Sequence, residues 1–167
     1  MKTLHLMRHA KSAWDQPGLS DRERGLNKRG RRDAPRMGAA LAAALSPQSI
    51  TVSPATRAQL TLEGLVDGWP TLGDIQHRTD ETLYTFASDD LLDWIFQQND
   101  GQDHLFIIGH NPALTELINL LLGRWQLDNL PTAGYVCLEL AAASWSDVSA
   151  GCASLRQRLF PKEIGAL

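Results

Sequence analysis

The sequence predicts an α/β fold: a mostly parallel central sheet with helices on both faces. Three observations carry that expectation. Thr3 to Met7 (TLHLM) and His104 to Ile108 (HLFII) are short apolar runs that read as buried strands. Each run stops abruptly at unusual polar residues, Arg8-His9 in one and Gly109-His110-Asn111 in the other. Between the runs lie segments with helical spacing, so strand and helix alternate, which is the order that builds parallel sheets. Ile50 to Val52 is a third strand, Ile75 to Arg78 a weaker fourth, and Tyr135 to Leu140 and Ala153 to Phe160 read as edge strands, at least one of them antiparallel.

Helices are expected over Asn27 to Leu45, Pro54 to Val66, Asp89 to Gln98 and Pro112 to Leu122; in the last, Leu114, Leu117, Ile118 and Leu121 recur at spacings of three and four. Asn27 caps the first of these, where Ala34, Met37, Leu41 and Leu45 form an apolar stripe, and Pro35 inside it predicts a kink or a late start. Asn111 followed by Pro112 predicts an N-cap and a first helical residue directly after His110.

The chain has 167 residues, 43% of them hydrophobic, enough for one domain over 1–167 with a sizeable core, and no linker or repeat divides it. A net charge of -3 gives no general attraction to nucleic acid or to an anionic membrane, so neither is an expected partner and any anion site is local. No stretch reaches the roughly 20 apolar residues of a membrane span, and polar residues interrupt the apolar start of MKTLHLMRHA, so a cytoplasmic protein is expected. Cys137 and Cys152 are the only cysteines and read as packed thiols. His5, His77 and His104 share no metal-ligand spacing, so they read as surface or filler residues, and neither metal nor cofactor is expected.

In an open parallel sheet, ligands bind beyond the carboxyl ends of the strands. Two strand ends deliver Arg8, His9 and His110 there, and Ser53-Pro54-Ala55-Thr56-Arg57 after the third run brings another arginine on the first turn of a helix. A lone strand-end histidine is usually structural; the convergence carries the reading. Clustered cations repel unless they hold an anion, and a phosphoryl group suits paired arginines and helix N-termini. Neutral imidazole is a competent nucleophile near pH 7, so His9 is the expected acceptor of that group. Lys28, Arg29, Arg31, Arg32 and Arg36 form a basic run on a helix surface, which either is simply solvated, extends the phosphate site or attracts an acidic partner.

Four segments in order, LMRHAKSAW, LNKRGRRDA, SPATRAQLT and IGHNP, resemble the motifs of the histidine phosphatase superfamily and of its short SixA-like phosphohistidine phosphatase branch. The resemblance covers most of the chain. It implies a metal-independent phosphatase with His9 as phosphorylated nucleophile, Arg8 and Arg57 binding the phosphoryl group and His110 completing the pocket. Ala10 stands where the family usually has glycine, and Lys11 replaces a glutamate of mutase-like members. Ser12 and Asp15 occupy positions of phosphate-site neighbours, and Glu81 in DETLY lies where such members carry a general acid, with Asp80 a poorer candidate. About ten residues separate the Ile75 to Arg78 run from the next helix, too few for a lid subdomain. The expected substrate is therefore a phosphorylated protein such as a phosphocarrier; the rivals are a phosphatase or mutase for a small phosphorylated metabolite and a phospho-ligand-binding module without activity.

Overall fold

The two apolar runs that end in histidines lie side by side at the centre of the sheet. In the computed structural model, which describes residues 1–164, they form β1 (Lys2–Arg8) and β4 (His104–Gly109), paired in parallel with Leu4 opposite Leu105 and Arg8 opposite Gly109. The remaining strands are β2 (Thr51–Val52), β3 (Arg78–Thr79), β5 (Tyr135–Leu140) and β6 (Ala153–Leu159), in the order β3-β2-β4-β1-β5-β6. The pairs β1·β4, β2·β4 and β2·β3 are parallel, whereas β5 runs antiparallel to both β1 and β6. Residues 165–167 of the domain expected over 1–167 lie outside the described residues.

Helices α1 (Lys28–Ala44) and α2 (Thr56–Gly68) cover one face, α3 (Ser88–Phe96) and α4 (Ala113–Leu122) the other. The pleat of β1 and β4 divides their side chains between two cores. Leu4, Leu6, Leu105 and Ile107 pack with Leu117, Leu121 and Trp145, while Met7, Phe106 and Ile108 pack with Met37, Leu41 and Leu65. Among the described residues no helix is long and apolar enough to cross a membrane.

Several local expectations need correction. α1 has no late start: it runs from Lys28 through Pro35, capped by the Asn27 side chain on the Gly30 N–H at 2.9 Å. Its register is set by packing, because Gly38 abuts the Leu65 carbonyl and Gly68 the Pro35 carbonyl, with no space for a Cβ at either glycine. α2 begins at Thr56 rather than Pro54. The Ile75 to Arg78 run contributes only its last residue to β3, since Ile75 ends a 3-10 turn over Pro70–Asp74. Tyr135 to Leu140 is an inner strand, because β6 pairs beyond it. α4 starts at Ala113 with Pro112 in the cap position, yet the Asn111 carboxamide still accepts from the Thr115 N–H at 3.0 Å. Of the two readings of His5, surface or filler, it takes the second: it is buried, with its ring nitrogens against Tyr135 Oη (2.6 Å) and His104 Nδ1 (3.0 Å).

Candidate active site

Parallel pairing places the carboxyl ends of β1, β2 and β4 at one edge. The main chain continues the ladder past the strands, with His9 N–H donating to Gly109 O and Ser53 N–H to Ile108 O, both at 3.1 Å. Thus His9, Ser53 and His110 leave the sheet as neighbours. A turn before β5 closes the cluster: the Ala133 N–H is shared between Arg8 O (3.1 Å) and His9 O (3.0 Å). Ala133 holds a left-handed φ of 61°, a strained conformation for alanine.

Arg57, on the first turn of α2, is 2% exposed and joins the two histidines. Its Nε donates to His9 Nε2 and its Nη2 to His110 Nδ1, each at 3.3 Å. Because guanidinium only donates, these two ring nitrogens carry lone pairs. The opposite nitrogens must bear the protons. His9 Nδ1–H donates to Ala10 O at 2.7 Å, and His110 Nε2–H donates to Ser53 Oγ at 2.7 Å. Burial lowers the His9 pKa to about 3; the bond to Ala10 works against that, while His110, then Arg57 and Arg8, add to it. Burial and the same two arginines lower His110 to about 4. Both rings are neutral at physiological pH, and His9 Nε2 is a nucleophilic lone pair pointed into the cationic cluster. The ring centroids stand 5.2 Å apart.

Arg8 completes the cluster. Its Nη1 donates to Leu130 O at 3.0 Å, while its Nε is the one buried side-chain polar atom without a partner among the described residues. A buried donor with no acceptor is costly, and an anion supplied beside His9 would satisfy it. Burial, and after it the proximity of Arg57, lowers the Arg8 pKa from its ordinary value.

Other expected residues lie at the margin of this cluster. Ser12 is buried, and its Oγ accepts from Arg24 Nη1 at 2.7 Å, with its O–H left as a donor. Asp15 is exposed. Glu81 is exposed and takes both Nη groups of Arg22, at 2.6 and 2.8 Å; that bond holds its pKa below the usual value. Asp80 is used structurally, by the Trp94 Nε1–H (2.8 Å) and the Thr82 N–H (2.9 Å). None of Lys28, Arg29, Arg31, Arg32 and Arg36 hydrogen-bonds a residue of the histidine cluster.

The sequence reading misses Asp21, Arg24 and Tyr84. Residues 12–27 form a strap across the cluster, pinned by a bridge between Ser12 and Leu26. The Asp21 carboxylate accepts from Arg57 Nη2 (3.0 Å), Tyr84 Oη (2.6 Å) and Arg24 Nη2 (2.9 Å), and its carbonyl accepts from Arg57 Nη1 (2.6 Å). Partial burial opposes ionisation, but the three donors hold Asp21 well below the usual carboxylate range. It occupies the anion-binding edge of Arg57. Ser20-Asp-Arg-Glu23 is a capping box, a sequence sign of the 3-10 turn at Asp21–Glu23, though nothing in it marks Asp21 as Arg57's partner. Among the described residues no group of three or more His, Cys, Asp or Glu is arranged to hold a metal ion.

Comparison with known proteins agrees with this geometry. Residues 4–86, which carry Arg8, His9, Arg57 and Glu81, match the model of the histidine phosphatase superfamily (branch 1). An uncharacterised protein of Mycobacterium tuberculosis is 34% identical over 159 residues, covering 89% of this chain and 96% of its own. The protein named phosphohistidine phosphatase SixA in Agrobacterium tumefaciens superposes with a TM-score of 0.79 at 26% identity, over 96% of this chain and 98% of that one. A protein histidine phosphatase SixA complexed with tungstate has the same fold, with a TM-score of 0.74 at 21% identity over 96% and 97%. Given this match and the histidine cluster at the sheet edge, the chain belongs to the histidine phosphatase superfamily and is a SixA-like phosphatase.

Proposed function

We propose that the protein removes phosphate from phosphohistidine on another protein through a phosphohistidine formed on His9. The observation that carries the reading is the tautomer of His9: Nδ1–H is tied to Ala10 O, which puts the lone pair on Nε2, where Arg57 Nε holds it at 3.3 Å until a phosphoryl group takes that donor. In the first step a bond forms between His9 Nε2 and phosphorus while the bond to the substrate's imidazole breaks. Arg57 and the unpartnered Nε of Arg8 meet the charge on the transferring oxygens. Water then attacks the same phosphorus, breaking its bond to His9 and releasing inorganic phosphate. A protonated imidazole leaves without a strong general acid, which suits a site whose expected acid, Glu81, would have to part from Arg22 before it could carry a proton, and whose Asp21 carboxylate is held by Arg57, Arg24 and Tyr84. The arginines supply the charge that a metal would, so chelators are expected to leave turnover unchanged. The same reading places the protein in the cytoplasm, where thiols such as Cys137 and Cys152 stay reduced.

A small phosphorylated metabolite is the second reading. It is favoured by the Arg22–Glu81 pair, which links the strap to the turn after β3 beside Tyr84. The deciding measurement is kcat/KM on a histidine-phosphorylated carrier protein against a panel of small phosphate esters, with and without EDTA. Preference for the carrier is expected; a strong preference for the esters would overturn the protein substrate, and loss of turnover in EDTA restored by one divalent ion would overturn metal independence.

A further inference from the structure

The basic run at the start of α1 is not absorbed by the phosphate site, and its placement is electrostatically unfavourable. A helix N-terminus is the positive pole of the helix dipole, where acidic residues stabilise and cations do not. The first turn of α1 nevertheless holds no acid, and Asp33 is the only carboxylate of the helix. Asp33 is buried and shared by three arginines: Arg36 at 3.2 Å, Arg32 at 3.3 Å and Arg29 at 3.5 Å. One charge is thus set against three, and Lys28, also exposed, has no carboxylate within ion-pair distance among the described residues. Arg31 belongs to the opposite flank, where it donates to Leu26 O at 3.0 Å and faces a groove lined also by Glu63 and Asp67. The patch is therefore Lys28, Arg29, Arg32 and Arg36, four cations balanced by the one carboxylate of Asp33, on a chain whose net charge is -3.

This patch shares a wall with the phosphatase site. Arg29 lines a groove of about 220 Å³ with Pro131, Thr132, Lys162 and Glu163, and Glu163 is already paired with Arg158 at 2.8 Å. The segment behind that groove is the one that holds the nucleophile, through Leu130 O on Arg8 and the Ala133 N–H on the Arg8 and His9 carbonyls. Arg29 and Lys162 thus line a groove against the same segment that is hydrogen-bonded to Arg8 and His9.

We propose that the first half of α1, with Lys162, is the docking face for an acidic surface of the phosphorylated protein substrate. The inference rests on the protein-substrate reading above and names the chemistry of that substrate. Guanidinium forks match carboxylates, and charges at a rim raise the rate of encounter more than they hold the complex. A nucleic acid is disfavoured because so few cations in one spot on an acidic protein neutralise little of a continuous polyanion. A membrane is disfavoured because this flank of α1 offers no apolar residues to insert.

The test uses the full chain, the triple variant Lys28→Glu/Arg29→Glu/Arg32→Glu and an acidic carrier protein phosphorylated on histidine with phosphoramidate. KM for the carrier is expected to rise about tenfold and to lose much of its salt dependence. Turnover of phosphoramidate itself is expected to stay unchanged, since these residues make no contact with the histidine cluster. An unchanged KM for the carrier overturns the proposal, as does wild-type binding to an oligonucleotide or to phosphatidylserine vesicles that exceeds binding to the carrier. If the triple variant does not fold, Arg29→Gln/Arg32→Gln, which leaves Arg36 on Asp33, decides by the same comparison. A wild-type protein that binds the carrier through α1 without dephosphorylating it sinks the proposed substrate and leaves the docking face standing.

Discussion

At the residue scale the site is governed by what Arg57 touches. Four of its contacts are spent inside the protein: His9, His110, and the carbonyl and carboxylate of Asp21. A phosphoryl group therefore competes with Asp21 for the same guanidinium edge. Asp21→Asn removes the competing charge while keeping the shape, so inhibition by inorganic phosphate should become severalfold stronger. Steady-state inhibition by phosphate checks this; an unchanged or weaker inhibition would show that Asp21 does not stand in the anion's place. Arg8, His9, Arg57 and His110 are legible in the sequence because each sits at the end of an apolar run or on the turn after it. Asp21 is not, because its role depends on a strap folding back across some 36 residues to Arg57. Ser12 looks like a phosphate ligand by position; its Oγ accepts from Arg24, which leaves its O–H free to donate.

At the element scale, α1 against α2 is the contact that seats Arg57. Gly38 meets the Leu65 carbonyl and Gly68 the Pro35 carbonyl, so the helices approach more closely than any side chain would permit. Gly38→Ala should therefore destabilise by about 2–3 kcal/mol and lower the melting temperature by roughly 5–10 °C. Thermal unfolding checks it, and a wild-type melting temperature would mean that the helices can separate freely. The same packing explains why the proline signal misleads: Pro35 breaks an isolated helix, but α1 is held on both sides of it by the Asn27 cap and the α2 glycines. Periodicity is informative where burial is complete, as in β1 and β4. It fails for β3, two exposed residues that pair only because β2 is beside them. For β5, polarity alone does not separate an edge strand from an inner one, since its position depends on where β6 pairs.

At the scale of the whole molecule, three histidines are buried in neutral form, and this couples stability to pH. Burial is the largest cause in each case and lowers His5 to about 4, His9 to about 3 and His110 to about 4, from an ordinary value of 6.5. Below pH 6.5 the unfolded chain binds protons that the native protein excludes, so stability is complete above that pH and is lost as pH falls toward 4. At pH 5 each histidine should remove about 1–2 kcal/mol. The depressed carboxylates, Asp21 among them, act at lower pH and leave this window clear. Denaturant melts at pH 7 and pH 5 should show the gap, and His5→Phe should narrow it; an equal gap in both proteins would contradict the assignment. The central claim about the molecule is still that His9 carries the phosphoryl group, and rapid quench with a labelled phosphohistidine carrier tests it most directly. Wild type should accumulate a near-stoichiometric, acid-labile phosphoenzyme that His9→Ala does not form, whereas equal labelling of the two proteins, or none in wild type, would contradict it.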